Sequence, residues 1–307
     1  MEGVLVMYIS TLRQKQGELR ALDMLEARHV NSNLFIPNII LKDSSIESLQ
    51  QIKDKFNSKV ILDTRDLDAD EIGELEENVL LADFQHFYIN YSIENCITSW
   101  PTEKFDYVKI PKNLLNEFFV QWVQANNLKF PKNIMFDFEA VKEILSDETL
   151  SIVTRIIDIL GEKNYIICSG AIPNSVPENA STDYKLQRFE LDVFNQIKEK
   201  TGVNIIFSDY STVSPVISSG GRAIVQIKYT LENEYWFVRN GLRRGNYNFV
   251  SVCDTIVSKA RTFDAQSCWA DKYIQDVHIS GENSGNPSVW ASLGINKHLV
   301  MCINENL

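Results

Sequence analysis

The chain of 307 residues carries 30 Lys and Arg against 41 Asp and Glu, a formal net charge of −11 at pH 7. With 44% hydrophobic and 23% charged residues it can bury a sizeable core, which excludes wholesale disorder. The acidic balance argues against a non-specific nucleic-acid binder, which needs surplus Lys and Arg to neutralise phosphates. No apolar run approaches the ~18–20 residues of a membrane helix, so no membrane association is expected.

The start, Met1-Glu-Gly-Val-Leu-Val-Met, lacks the basic region and small-residue cleavage site of a secretory signal, so a cytoplasmic location is expected. The five cysteines, Cys96, Cys168, Cys253, Cys268 and Cys302, are odd in number and form no Cys-x-x-Cys pair. That spacing argues for buried free thiols rather than a disulfide framework or a structural zinc site.

In chain order, short apolar runs alternate with helical patterns. A strand is expected over 4–10 and a helix over 14–29, where Leu19, Leu22 and Leu25 recur at helical spacing. A strand over 34–41 precedes a helix over 44–56 with Ser44 or Ser45 as its N-cap. Strands follow over 59–62, 86–91, 105–110 and 133–138, with helices over 70–81, 113–125 and 147–160. Then come a strand over 165–169, a long helix over 183–200 and a strand over 204–208. A hairpin over 223–229 and 234–239, helices over 246–260 and 266–278, and a closing strand over 298–303 complete the chain.

Repeated β-α alternation means parallel strands joined by right-handed crossovers. About eight strands favour a closed (β/α)8 TIM-like barrel, with an open doubly wound sheet carrying an antiparallel edge as the alternative. The reading is one α/β barrel domain over 1–307, whose C-terminal third, 220–307, carries the hairpin and closing helices. Trp236, Trp269, Tyr273 and Trp290 are expected to pack as core on those closing elements.

In either architecture ligands bind beyond the carboxyl ends of the strands, and the residues there are unusually charged. Asp63, Arg65 and Asp66 follow the third run, Asp137 and Glu139 alternate in Phe136-Asp-Phe-Glu, and Asp209-Tyr210 follows Ile205-Ile-Phe-Ser. Asp63, Asp137, Glu139 and Asp209 are the candidates for acid–base work or for holding a divalent metal. Arg13, Lys15 and Glu18 lie at the start of the first helix, and Arg239, Arg243 and Arg244 surround a glycine-containing loop. Lys15, Arg239 and Arg243 are the candidates for holding an anion such as a phosphate. The competing reading gives these charges to helix caps and internal ion pairs. Asp63, Asp137, Asp209 and Arg239 are expected on one rim. His29, His86, His278 and His298 show no metal-protease pairing, and no Gly-x-Ser-x-Gly elbow is present.

Tyr8-Ile-Ser-Thr-Leu-Arg-Gln-Lys-Gln-Gly-Glu-Leu-Arg-Ala-Leu resembles the opening signature of the beta-protein family of bacteria and their phages. Lys228-Tyr-Thr, Trp236-Phe-Val-Arg-Asn-Gly, Ser267-Cys-Trp-Ala-Asp-Lys-Tyr-Ile, Val289-Trp-Ala and Asn296-Lys-His-Leu are similar to family elements in order and spacing, as is Asp209-Tyr210. The second run departs from the family: Phe35-Ile-Pro-Asn-Ile-Ile-Leu-Lys lacks the glutamate of the usual Pro-x-x-Glu element. The resemblance implies a setting of phages, mobile elements and phage–host conflict, and brings no catalytic mechanism with it. Two functions stand beside each other. One is an enzyme acting on a phosphate-containing small molecule or nucleic-acid end. The other is a non-catalytic effector or decoy that binds a protein partner or a nucleotide.

Overall fold

A computed structural model describes residues 7–30, 34–101, 105–175, 183–216, 224–240 and 248–305. Its first strands and helices are β1 (Tyr8–Arg13), α1 (Gln16–Asp23), α2 (Ala27–Val30), β2 (Phe35–Ile40), α3 (Ile46–Lys55), β3 (Val60–Asp63) and α4 (Ala69–Val79). There follow β4 (Phe87–Ser92), α5 (Ile93–Thr98), β5 (Tyr107–Pro111), α6 (Glu117–Asn126), β6 (Asn133–Ala140), α7 (Asp147–Leu160) and β7 (Asn164–Gly170). The remainder is β8 (Asp183–Gln187), α8 (Phe189–Thr201), β9 (Ile205–Asp209), β10 (Gln226–Thr230), β11 (Glu234–Arg239), α9 (Phe249–Lys259), α10 (Trp269–Ser280) and α11 (Pro287–Glu305).

Strands β1 to β7 and β9 close into a parallel barrel. The ring is sealed where β1 meets β9, with Tyr8 opposite Phe207 and Ser10 opposite Asp209, which decides between the closed barrel and the open sheet. The pleat sorts side chains onto two faces. Ile9, Ile36, Ile61, Met135 and Ile166 fill the barrel interior, while Tyr8, Leu12, Ile39, Phe136 and Phe207 pack outward under the helices. Helix entries are capped as the sequence dictates: Ser45 accepts from Ser48 N–H, and Asp68 forms a capping box with Glu71.

Strands β10, β11 and β8 form a separate antiparallel sheet in that order. Tyr235 and Phe237 of this sheet pack on Ala171 and Ile172, immediately after β7, so the sheet sits at the carboxyl end of the barrel. No helix among the described residues is long and apolar enough to cross a membrane.

The structure corrects several expectations. The helix expected over 183–200 is divided: β8 pairs with β11 through Tyr184–Phe237 and Leu186–Tyr235, and α8 starts at Phe189. The closing strand over 298–303 is instead the last two turns of α11. A short, mostly apolar run carries no periodicity that separates a buried strand from a buried helix, and α11 is buried on nearly every side against α1, α10 and β10. The first strand ends at Arg13, not residue 10, and the following helix breaks into α1 and α2. Trp236 and Trp290 are buried as expected, whereas Trp269 and Tyr273 are half-buried. They pack among the C-terminal helices rather than closing the barrel.

Candidate functional site at the barrel mouth

Toward the carboxyl end the barrel interior changes from apolar to ionic. Asp63, on the inward face with Ile61, accepts from Lys109 Nζ at 2.6 Å through Oδ1. Its Oδ2 accepts from Arg65 Nη2 at 2.6 Å and from Asn38 Nδ2 at 3.2 Å. The same Arg65 nitrogen reaches Asp137 Oδ2 at 3.0 Å, and Nη1 donates to the Tyr210 hydroxyl at 2.7 Å. Tyr210 in turn donates to Asp137 Oδ2 at 2.7 Å and lies under the guanidinium, 5.5 Å from its ring centre. Burial disfavours the charge of Asp63, but Arg65 and Lys109 outweigh it and hold the carboxyl well below the usual range. Burial and the Asp137 charge push Tyr210 up, so it remains a proton-bearing donor.

This lattice is the floor of a 440 Å³ cavity lined also by Asp66, Ser92, Glu94, Asn95, Asn113 and Glu139. Arg65 keeps 17% of its side chain exposed there. At the cavity edge Glu139 adopts a left-handed φ of 53°, beside a register shift between β6 and β7. Its N–H donates to Asp137 Oδ1 at 2.9 Å. The same two-residue turn recurs at Asp63, which accepts from Arg65 N–H at 3.1 Å, and at Asp209, which accepts from Ser211 N–H at 2.8 Å. Strand-end aspartates thus also shape the loops that leave the barrel.

Of the sequence candidates, Asp63, Asp137 and Glu139 meet at this mouth. Asp209 does not join them. It shares the outward face of β9 with Phe207 and contacts His298 Nε2 at 2.6 Å, in a closed cluster with Tyr8 and Ser10. Lys15 is exposed just before α1. Its neighbour Arg13 is committed elsewhere, donating to the carbonyls of Ser214 and Pro215, while its own N–H is taken by Glu18. Arg239 ends β11, 8% exposed, with Nε and Nη2 lacking hydrogen-bond partners among the described residues. Arg243 and Arg244 lie outside the described residues.

Lys109 escaped sequence reasoning, as did a site role for Asn38. The available signal was a polar side chain at the inward register of an apolar strand, in Tyr107-Val-Lys-Ile and in Phe35-Ile-Pro-Asn. Asn38 occupies the run where the family resemblance sought a glutamate, and it bonds both Thr11 Oγ1 at 3.1 Å and Asp63. Several C-terminal motif residues turn out to be joints. Asp271 accepts from Tyr229 at 2.8 Å and from Lys297 at 2.6 Å, which ties α10, β10 and α11 together.

Fold and site together define a (β/α)8-barrel protein with an ionic mouth and an added sheet and helical layer at its C-terminal end. The family model described as Beta protein matches residues 123–304, and the chain belongs to that family. The match runs from α6 to α11 and takes in Asp137, Asp209 and Tyr210, but stops short of Asp63, Arg65 and Lys109. No curated protein matches the chain.

Proposed function

We propose that the mouth binds a phosphate-bearing small molecule or nucleic-acid end as its complex with a divalent metal, in the phage–host conflict setting that the family resemblance implies. The observation that carries this reading is a pair of cations, Arg65 and Lys109, fixed by buried carboxylates at the floor of an open 440 Å³ cavity. Such fixed donors need little reorganisation to receive an anion.

The lining supplies the argument for the metal. Its carboxylates, Asp66, Glu94, Asp137 and Glu139, outnumber Arg65 and Lys109, so a bare phosphate would meet a negative rim. Mg²⁺ characteristically binds through one or two protein carboxylates plus the phosphates of its ligand. Asp137 and Glu139 would provide those carboxylates, and Arg65 and Lys109 would face the phosphate oxygens. Asp63, held ionised by two cations, positions them and is not a proton donor. The five cysteines, all free and buried, support a reducing cytoplasmic setting.

Calorimetry with nucleotides and short 5′-phosphorylated oligonucleotides tests the reading. Binding is expected only with Mg²⁺ or Mn²⁺ present, and Lys109→Met should weaken it by about tenfold or more, the worth of one charge-assisted hydrogen bond. Product analysis of the same mixtures separates turnover from the decoy reading. Equal binding with and without metal, or no binding of any phosphate ester, would overturn the proposal.

A further inference from the structure

We infer that Asp209, His298 and Cys302 form a binding site for one first-row transition-metal ion, with Zn²⁺ the best match, on the outer face of the barrel. The inference is independent of the mouth reading. His298 and Cys302 stand four residues apart on α11, which puts them on one helix face. Asp209 ends β9 opposite them, and one donor atom from each of the three lies within 4.8 Å of the other two, all of them buried.

The way these atoms meet distinguishes a coordination site from a relay. His298 Nε2 is 2.6 Å from Asp209 Oδ2 and 3.4 Å from Cys302 Sγ. A catalytic Cys-His-Asp arrangement would place the two partners on different ring nitrogens. Here both converge on one nitrogen, and its single N–H can satisfy only one of them well. An ion in place of that proton would satisfy all three.

Hydrogen bonds from neighbouring groups hold the donors in place. Thr230 Oγ1 bonds His298 Nδ1 at 3.0 Å and sets the ring. Asp209 Oδ1 is held by the Tyr8 hydroxyl at 2.7 Å and by Ser211 N–H at 2.8 Å, leaving Oδ2 to face the cluster. Arg188 Nη2 donates to Cys302 Sγ at 3.1 Å, a contact that stabilises a thiolate. Its charge is matched by Glu190 and Glu305, so it does not repel the ion alone. One carboxylate and one thiolate balance a divalent cation. The nitrogen, sulfur and oxygen donors suit Zn²⁺ and disfavour Mg²⁺ or Ca²⁺. A thiol must give up its proton to bind the ion, so loading weakens as pH falls.

The decisive measurement is metal analysis of the full chain grown with added zinc and purified without chelator, followed by Co²⁺ loading of the metal-free protein under reducing conditions. About one equivalent per chain is expected, with the near-ultraviolet charge-transfer band of cobalt–thiolate bonding. Cys302→Ser should remove that band and weaken affinity by ~10–100-fold. The wild-type arms need no variant to fold. Protein that neither copurifies with metal nor takes up cobalt overturns the site, and so does a band that persists in Cys302→Ser.

Discussion

The mouth and the outer cluster are built from the same parts and do opposite things with them. Each starts from an aspartate near a strand end whose carboxylate accepts the N–H two residues on. Each sets a carboxylate against a basic side chain and a tyrosine hydroxyl. Yet Arg65 keeps 17% exposure toward a cavity, whereas His298 and Asp209 are 0% exposed. The pleat decides the difference. Asp63 and Asp137 share the inward register of Ile61 and Met135, while Asp209 shares the outward register of Phe207. A strand-end position in the sequence therefore fixes how high a residue sits on the barrel, and one residue of register fixes whether it meets ligand or helix.

The largest expected effect lies on the closed side. Arg188 is fully buried between Glu190 and Glu305 and also bonds the Glu232 carbonyl. Arg188→Ala would leave Glu190 buried without its cation and should cost about 3–5 kcal/mol in urea unfolding. At the mouth, Lys109→Met leaves Asp63 with Arg65 and Asn38 as partners, so the loss should be nearer ~2 kcal/mol. Equal losses at the two sites would break the distinction between a closed joint and a redundant, ligand-facing lattice.

The barrel was legible in the sequence because β-α alternation and wholly buried strands leave a strong pattern, and seven of the eight barrel strands took their place with only boundary shifts. The first, expected over 4–10, shifts furthest: β1 runs from Tyr8 to Arg13, and residues 4–6 lie outside the described residues. Asp63, Asp137 and Glu139 were legible because charge directly after an apolar run is rare and local. Lys109 was not, since a lone lysine within Tyr107-Val-Lys-Ile reads as an exposed strand residue until closure turns that face inward. The outer cluster was illegible for a different reason. Asp209 and His298 are separated by 89 positions, and His298 sat in a run that reads equally well as strand or helix.

Acid and alkali should separate the two regions next, each with a slope of about 1.4 kcal/mol per pH unit for one proton. Asp63 is depressed below its ordinary 3.8 by Arg65 and Lys109. Its contribution is present above that value and is lost as pH falls through the lower folded one. For His298 in metal-free protein, burial works against protonation, but Cys302 and Asp209 raise it from 6.5 to about 10. Its contribution is complete below 6.5 and is lost as pH rises through about 10. Urea unfolding across pH should show an acid limb flattened by Asp63→Asn and an alkaline limb flattened by His298→Gln. Exchanged assignments would contradict the charge states argued for both sites.

The smallest effect sharpens the comparison most. Glu139 and Ser211 are the two non-glycine residues with left-handed φ among those described, at 53° and 50°, and each lies two residues after an aspartate near a strand end. A side chain in that conformation costs ~1 kcal/mol relative to glycine, part of which glycine returns as unfolded-state entropy. Glu139→Gly and Ser211→Gly should therefore each leave stability within about 1 kcal/mol of wild type. Binding is where they diverge. Glu139 is exposed and lines the cavity, so its replacement should weaken metal-dependent ligand binding while Asp137 keeps its N–H contact. Ser211 is 1% exposed and does not line that cavity, so its replacement should leave that affinity unchanged. Calorimetric titration of the two variants side by side checks this. If both bind like wild type, the strained turn at Glu139 serves only the β6–β7 register, and the carboxylate has no part in the mouth.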